Sequence, residues 1–129
     1  MRLLLDTHIW LWTVREPERI APHLHSILAD PANELWLSPI SIWEALILHA
    51  QRRVSLAGDL SEWVADATAN LNEAPLTSEI AVATHDLGSL HRDPADRFLA
   101  ATAKVLGLTL VTSDERLLGL GDIATLANR

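Results

Sequence analysis

Asp93-Pro94-Ala95-Asp96-Arg97-Phe98-Leu99-Ala100-Ala101-Thr102-Ala103-Lys104-Val105-Leu106-Gly107-Leu108-Thr109-Leu110-Val111-Thr112-Ser113-Asp114 reads as a helix, a strand and an acid just beyond the strand. Asp93 is a favoured N-cap, Pro94 is preorganised for the first helical position, and Asp96 places negative charge in the first turn, where the helix dipole stabilises it. Gly107 is the expected stop. The β-branched run from Leu108 to Thr112 then forms a strand, and Asp114 follows it.

The same order recurs towards the N-terminus. Leu3-Leu4-Leu5 is a short apolar run suited to a buried strand, and it ends in Asp6. A short helix follows from Ile9 to Arg15, stopped near Pro17, and a second lies between Pro22 and Pro31, from His23 to Asp30. Glu34-Leu35-Trp36-Leu37-Ser38 is the next strand, with Pro39 opening a helix. Apolar residues at 60, 63, 64, 67 and 71 predict a helix from Leu60 to Leu71. Ala74 to Thr77 reads as a brief strand, Ser78-Glu79 as a helix start, Gly88 as its end, and Asp122 to Leu126 as a last edge strand. Strands alternating with helices imply an α/β fold with a parallel sheet covered on both faces. In such sheets ligands bind beyond the carboxyl ends of the strands, where Asp6 and Asp114 fall.

The bulk composition narrows the function. A chain of 129 residues, 49% hydrophobic and 21% charged, predicts one globular domain spanning 1–129. Its apolar runs are far shorter than the ~20 residues of a membrane helix, and no secretory pattern opens the chain, so the expected location is cytoplasmic. With no cysteine, disulfides, zinc-thiolate sites and a cysteine nucleophile are excluded. The net charge of −7 argues against a broad electrostatic nucleic-acid binder. Setting aside Asp6, Glu44, Asp96 and Asp114 leaves an excess of only three acids, and nine of the ten basic residues are arginine, whose fork suits phosphate and carboxylate alike.

Those four acids are the candidate site. Asp6 and Asp114 read equally well as helix caps, and Asp96 as a first-turn acid; Asp93 is first a cap and second a site residue. Glu44 resists such an explanation. Its helical neighbours Ile40, Ile47 and Leu48 are apolar, and no other charge lies between Pro39 and Gln51. Two carboxylates ~4 Å apart repel by about 4 kcal/mol at an effective dielectric of 20. A gathered set must therefore hold protons or bind a hard divalent cation such as Mg²⁺. Such an ion promotes phosphodiester cleavage.

Leu4-Leu5-Asp6-Thr7-His8, Ser38-Pro39-Ile40-Ser41-Ile42-Trp43-Glu44-Ala45, the stretch from His91 through Asp96 to Ala103, and Leu110-Val111-Thr112-Ser113-Asp114 resemble the motifs of PIN-domain ribonucleases. More narrowly they resemble VapC-type toxins of bacterial toxin–antitoxin pairs. The resemblance covers nearly the whole chain, in order. It departs at His8, where many relatives carry Asn. It implies a PIN-like three-layer fold with a central parallel sheet of four or five strands flanked by helices. It also implies Mg²⁺ or Mn²⁺ held by Asp6, Glu44, Asp96 and Asp114, with Asp6 and Asp96 as direct ligands. Thr7, Ser41, Thr112 and Ser113 are hydroxyls that support the ligands or cap helices. The implied reaction is hydrolysis of RNA by metal-activated water, leaving 5′-phosphate and 3′-hydroxyl ends. The implied partners are an RNA substrate, a cognate antitoxin protein and a second copy in a homodimer.

Other residue sets compete less well. Of the six histidines only His8 adjoins a site acid, and no Gly-x-Ser-x-Gly elbow or glycine-rich phosphate loop is present. Arg97 is the first candidate for RNA contact, followed by Arg92, Arg116 and the Arg52-Arg53 pair. The five tryptophans, Trp36 and Trp43 above all, are expected in the core, with a partner groove as the alternative. Two rival functions remain: a catalytically silent PIN-like module that binds RNA or protein, and a receiver-like phospho-acceptor. The latter expects an acceptor Asp where Leu35-Trp36-Leu37-Ser38 offers none.

Overall fold

A computed structural model describes residues 1–87 and 93–129. The expected helix end at Gly88, His91 of the third motif and the candidate Arg92 lie outside the described residues.

Among the described residues five strands form one parallel sheet: β1 (Arg2–Leu5), β2 (Glu34–Leu37), β3 (Asn72–Glu73), β4 (Thr109–Thr112) and β5 (Thr125–Ala127), in the order β3-β2-β1-β4-β5. The helices are α1 (Thr7–Arg15), α2 (Pro22–Ala29), α3 (Pro39–Ala50), α4 (Leu60–Ala67), α5 (Ser78–Ala83), α6 (Pro94–Leu106) and α7 (Glu115–Leu118), with 3₁₀ turns at Pro17–Arg19 and Thr84–Leu87. This is the expected α/β architecture, with β1 at its centre.

Alternation along β1 builds the three layers. Leu4 faces one core with Leu99, Ala100, Ala103 and Leu110, under α5 and α6. Leu3 and Leu5 face the other with Ile9, Trp10, Leu24, Ala45 and Val111, under α1 to α4. A strand buried on both faces must be apolar throughout, which is why β1 shows no polar alternation. Among the described residues no helix is long and apolar enough to cross a membrane.

Several boundaries differ from the sequence reading. The third strand is Asn72–Glu73, not Ala74 to Thr77: Ala74 gives one more N–H to the Leu37 carbonyl at 2.9 Å, and Pro75 has none to extend the ladder. Helix α4 stops at Ala67, well before Leu71, where the Thr68 hydroxyl bonds the Val64 carbonyl at 2.8 Å. Leu71 still packs into the core, so its helical spacing reflects burial. The last strand begins at Thr125, after Asp122 has turned to pair with Lys104 at 2.9 Å. Trp43 is not in the core. It is 52% exposed, because the buried stripe of α3 runs through Ser41, Ala45 and Leu48. Trp36 is half-buried against the α5–α6 core, with Arg2 5.2 Å above its ring.

Helix α3 ends unusually. The N–H of Arg53 bonds the Leu48 carbonyl at 2.9 Å, and that of Arg52 bonds the His49 carbonyl at 3.0 Å. This is a Schellman turn, whose left-handed position normally holds glycine. Here Arg52 occupies it, at φ 60°.

Candidate active site

Strands β1 and β4 are neighbours with Leu5 opposite Val111, so the next residues along, Asp6 and Thr112, meet at the carboxyl edge of the sheet. The Asp6 N–H continues the ladder to the Val111 carbonyl at 2.9 Å. Asp6 stands at the N-cap of α1 but makes no side-chain cap bond. Its carboxylate turns instead to the Thr112 hydroxyl, which donates to Oδ2 at 2.6 Å. Capping therefore does not explain Asp6. Asp114, in contrast, does cap: its Oδ1 accepts the Arg116 N–H at 2.9 Å, and its carboxylate pairs with the Arg116 guanidinium at 3.2 Å. Asp93 caps α6 by accepting the Ala95 N–H at 3.0 Å.

A cleft of about 490 Å³ opens at this edge. Asp6, Glu44, Asp93, Asp96 and Asp114 all line it. The four predicted acids thus come from the end of β1, the middle of α3, the first turn of α6 and the end of β4. The hydroxyls expected around them fall into place. Thr112 serves Asp6, Ser113 lines the cleft, and Thr7 donates to Ser41 at 2.8 Å between α1 and α3. Ser38 caps α3 by accepting the Ile40 N–H at 3.1 Å.

Asp6, Glu44 and Asp96 all hold their protons more tightly than free carboxyls. Burial is the main force raising the Asp96 carboxyl to about 7, and the charges of Asp93, Asp6, Asp114 and Glu44 push the same way. Glu44 is raised by burial and by Asp93 and Asp6, against the opposing pull of the Thr7 hydroxyl and His8. Asp6 is raised by its burial, against the Thr112 hydroxyl, His8 and the Thr7 backbone. Asp6, Glu44, Asp96 and Asp114 all offer carboxylate oxygens, the donors that hard divalent cations prefer, and their mutual repulsion would be relieved by such a charge. By its donors the site suits Mg²⁺ or Mn²⁺. Among the described residues no group of three or more acids or histidines is already arranged to hold an ion, so coordination requires the carboxylates to draw together.

One expectation about arginine needs correction. Arg97 does not line the cleft; one position on from Asp96 its side chain is turned about 100° around α6, and it donates to the Thr84 carbonyl. The arginines at the cleft are Arg116, as expected, and Arg19. Arg19 was not among the candidates, because it lies beyond the helix stop at Pro17, where helical spacing says nothing. Trp12 also lines the cleft, half-buried, rather than serving only as core. Its place one turn after His8 on α1 is the feature that could have revealed it.

Relatives of this chain share both sequence and architecture. Ribonuclease VapC22 of Mycobacterium tuberculosis is 34% identical over 116 residues, covering 89% of this chain and 88% of that protein. The VapBC2 complex of Rickettsia felis, bound to a promoter DNA fragment, contains a chain that superposes with a TM-score of 0.75 at 15% identity, over 98% of each chain. DNA-bound VapBC of Salmonella typhimurium superposes equally well, at 0.75 and 16% identity, over 100% of this chain and 99% of that one. Residues 3–122 match the PIN domain, and the chain belongs to the PIN domain family.

Proposed function

We propose that the chain is a divalent-metal-dependent endoribonuclease, the toxin of a type II toxin–antitoxin pair, acting in the cytoplasm. One observation carries the reading: four carboxylates from four separate elements line one cleft beyond the sheet, where their charges oppose one another. The 34% identity to a protein named a ribonuclease supports the choice of substrate.

In this reading Asp6, Glu44, Asp96 and Asp114 hold Mg²⁺ or Mn²⁺. The bound ion supplies polarisation of a phosphoryl oxygen and acidification of water. Asp6 is the anchor, oriented by the Thr112 hydroxyl and shielded from solvent. Asp96, whose carboxyl is raised to about 7 by burial and by the neighbouring acids, would in its ionised form accept a proton from water in the cleft. Glu44 is steadied by the Thr7 hydroxyl. Arg116 faces the same cleft and is the group for the substrate phosphate. The products are RNA fragments with 5′-phosphate and 3′-hydroxyl ends. A cognate antitoxin covers the protein before release, as the VapBC complexes among its structural neighbours suggest. Pairing of two copies as a homodimer belongs to the same proposal.

The test is cleavage of a mixed cellular RNA pool by purified protein with Mg²⁺, with Mn²⁺ and with chelator, beside Asp6→Ala. Metal-dependent cutting that the variant lacks supports the proposal. Binding of RNA without cutting under any metal condition would instead establish the silent module. Ends bearing 2′,3′-cyclic phosphate would overturn hydrolysis by water.

A further inference from the structure

The acidic cleft continues past Trp12. A second depression of about 180 Å³ shares His8, Trp12 and Arg19 with it, so the two adjoin along α1 as one trough. The charge reverses along the trough. Arg15, Arg19 and Arg53 line the second part, against the single acid Glu16, which sits 3.6 Å from Arg19. The three arginines come from the end of α1, the 3₁₀ turn after it and the Schellman turn after α3. Among the described residues neither Arg15 nor Arg53 has an ion-pair partner.

Between the two ends lies an aromatic shelf. The His8 and Trp12 rings stand 6.2 Å apart with a tilt of 35°, and the Arg19 guanidinium lies 4.8 Å over the Trp12 ring. Aromatic faces and arginine planes together make the platform on which unpaired bases stack, while neighbouring arginines track the phosphates. A base inside a duplex has no free face to offer such a shelf.

We propose that single-stranded RNA runs from the acidic cleft across the His8–Trp12 shelf into the arginine pocket. One unpaired base beside the reacting phosphate takes the place of the Arg19 guanidinium over Trp12, and Arg15 and Arg53 hold the phosphates that follow. The proposal rests on the ribonuclease reading for the direction of the strand. Selection at this trough is for an unpaired segment.

The experiment follows binding of a labelled single-stranded RNA of about 12 nucleotides by fluorescence anisotropy in Mg²⁺. KCl is varied from about 50 to 300 mM, with a blunt duplex of the same sequence as the comparison. The full chain is compared with R15Q/R53Q and Trp12→Leu, each verified as folded by circular dichroism, and cutting of the cellular RNA pool is read in parallel. R15Q/R53Q is expected to lower the slope of log affinity against log salt by about 1.4, close to 0.7 for each lost phosphate contact. Trp12→Leu should weaken single-strand binding by roughly tenfold with the slope unchanged, and should leave the weaker duplex binding alone. Single-strand binding by the parent that both variants retain in affinity and slope would overturn the track, as would absence of binding by the parent. In either case cutting of the pool by the parent leaves the ribonuclease reading standing. Binding that depends on these residues without any metal-dependent cutting keeps the track and overturns the ribonuclease.

Discussion

The Thr112 hydroxyl donates to Oδ2 of Asp6 at 2.6 Å and accepts the N–H of Asp114 at 3.0 Å. One oxygen thus links the acids that end two neighbouring strands. The Asp6 side chain is buried, which disfavours its charge, and this donor acts in the opposite direction.

Replacing Thr112 by Val keeps the shape and removes both bonds. A hydrogen bond to a charged, buried group is worth about 2 kcal/mol, and the loss should be of that size at neutral pH. It should shrink in acid, where Asp6 is protonated. Thr112→Ser should recover most of it. Urea unfolding of the three proteins at pH 5 and pH 8 measures both expectations, and equal losses at the two pH values would contradict the role given to the hydroxyl.

Stability of the metal-free protein should fall as pH rises. The Asp96 carboxyl is held at about 7 in the fold against 3.8 ordinarily, so between those values the folded state binds more protons than the unfolded chain. Raising the pH through this window removes the proton and exposes the repulsion. Glu44 and Asp6, also raised, act in the same direction. Thermal melts in chelator from pH 5 to pH 8 should show a falling Tm, and Asp96→Asn should flatten the curve.

Added metal should reverse that trend. Millimolar Mg²⁺ or Mn²⁺ should raise Tm by linkage, more at pH 8 than at pH 6, because binding requires the carboxylates to lose their protons. Asp96→Asn should lose about half of the rise or more, whereas Asp93→Asn, at the cap of α6, should lose less. Calorimetric scans with and without chelator decide the ranking. A variant at Asp96 as responsive as the parent would remove it from the ligand set.

Arg52→Gly should stabilise the protein. A left-handed conformation costs a side chain about 1 kcal/mol that glycine escapes, and the Schellman bonds are made by the backbone in either case. A gain of about 1 kcal/mol in chemical denaturation is expected, with metal-stimulated melting unchanged.

The sheet and the site were legible in different degrees. Strand β1 showed itself through the apolar run Leu3–Leu5, β4 through its β-branched residues, and α6 because Asp93, Pro94 and Gly107 mark its ends. Glu44 stood out because nothing else on α3 is charged. Short edge elements were less readable: β3 pairs through two exposed residues whose side chains carry no pattern, and only the missing N–H of Pro75 limits it. Trp43 misled because α3 is apolar on more faces than it buries. Arg19 and Trp12 were missed as cleft residues because a loop decides where the first lies and only the trough along α1 exposes the second.

The central strand precedes both of its neighbours, β2 and β4, in the chain, and β4 follows it by more than a hundred residues. Until then Asp6 has no hydroxyl to orient it, and Asp96 and Asp114 are absent from its side. An enzyme that cuts RNA would be a hazard to the ribosome that is making it. Strand β4 arrives more than a hundred residues after β1, so in the ribonuclease proposed above the topology itself would postpone activity during synthesis.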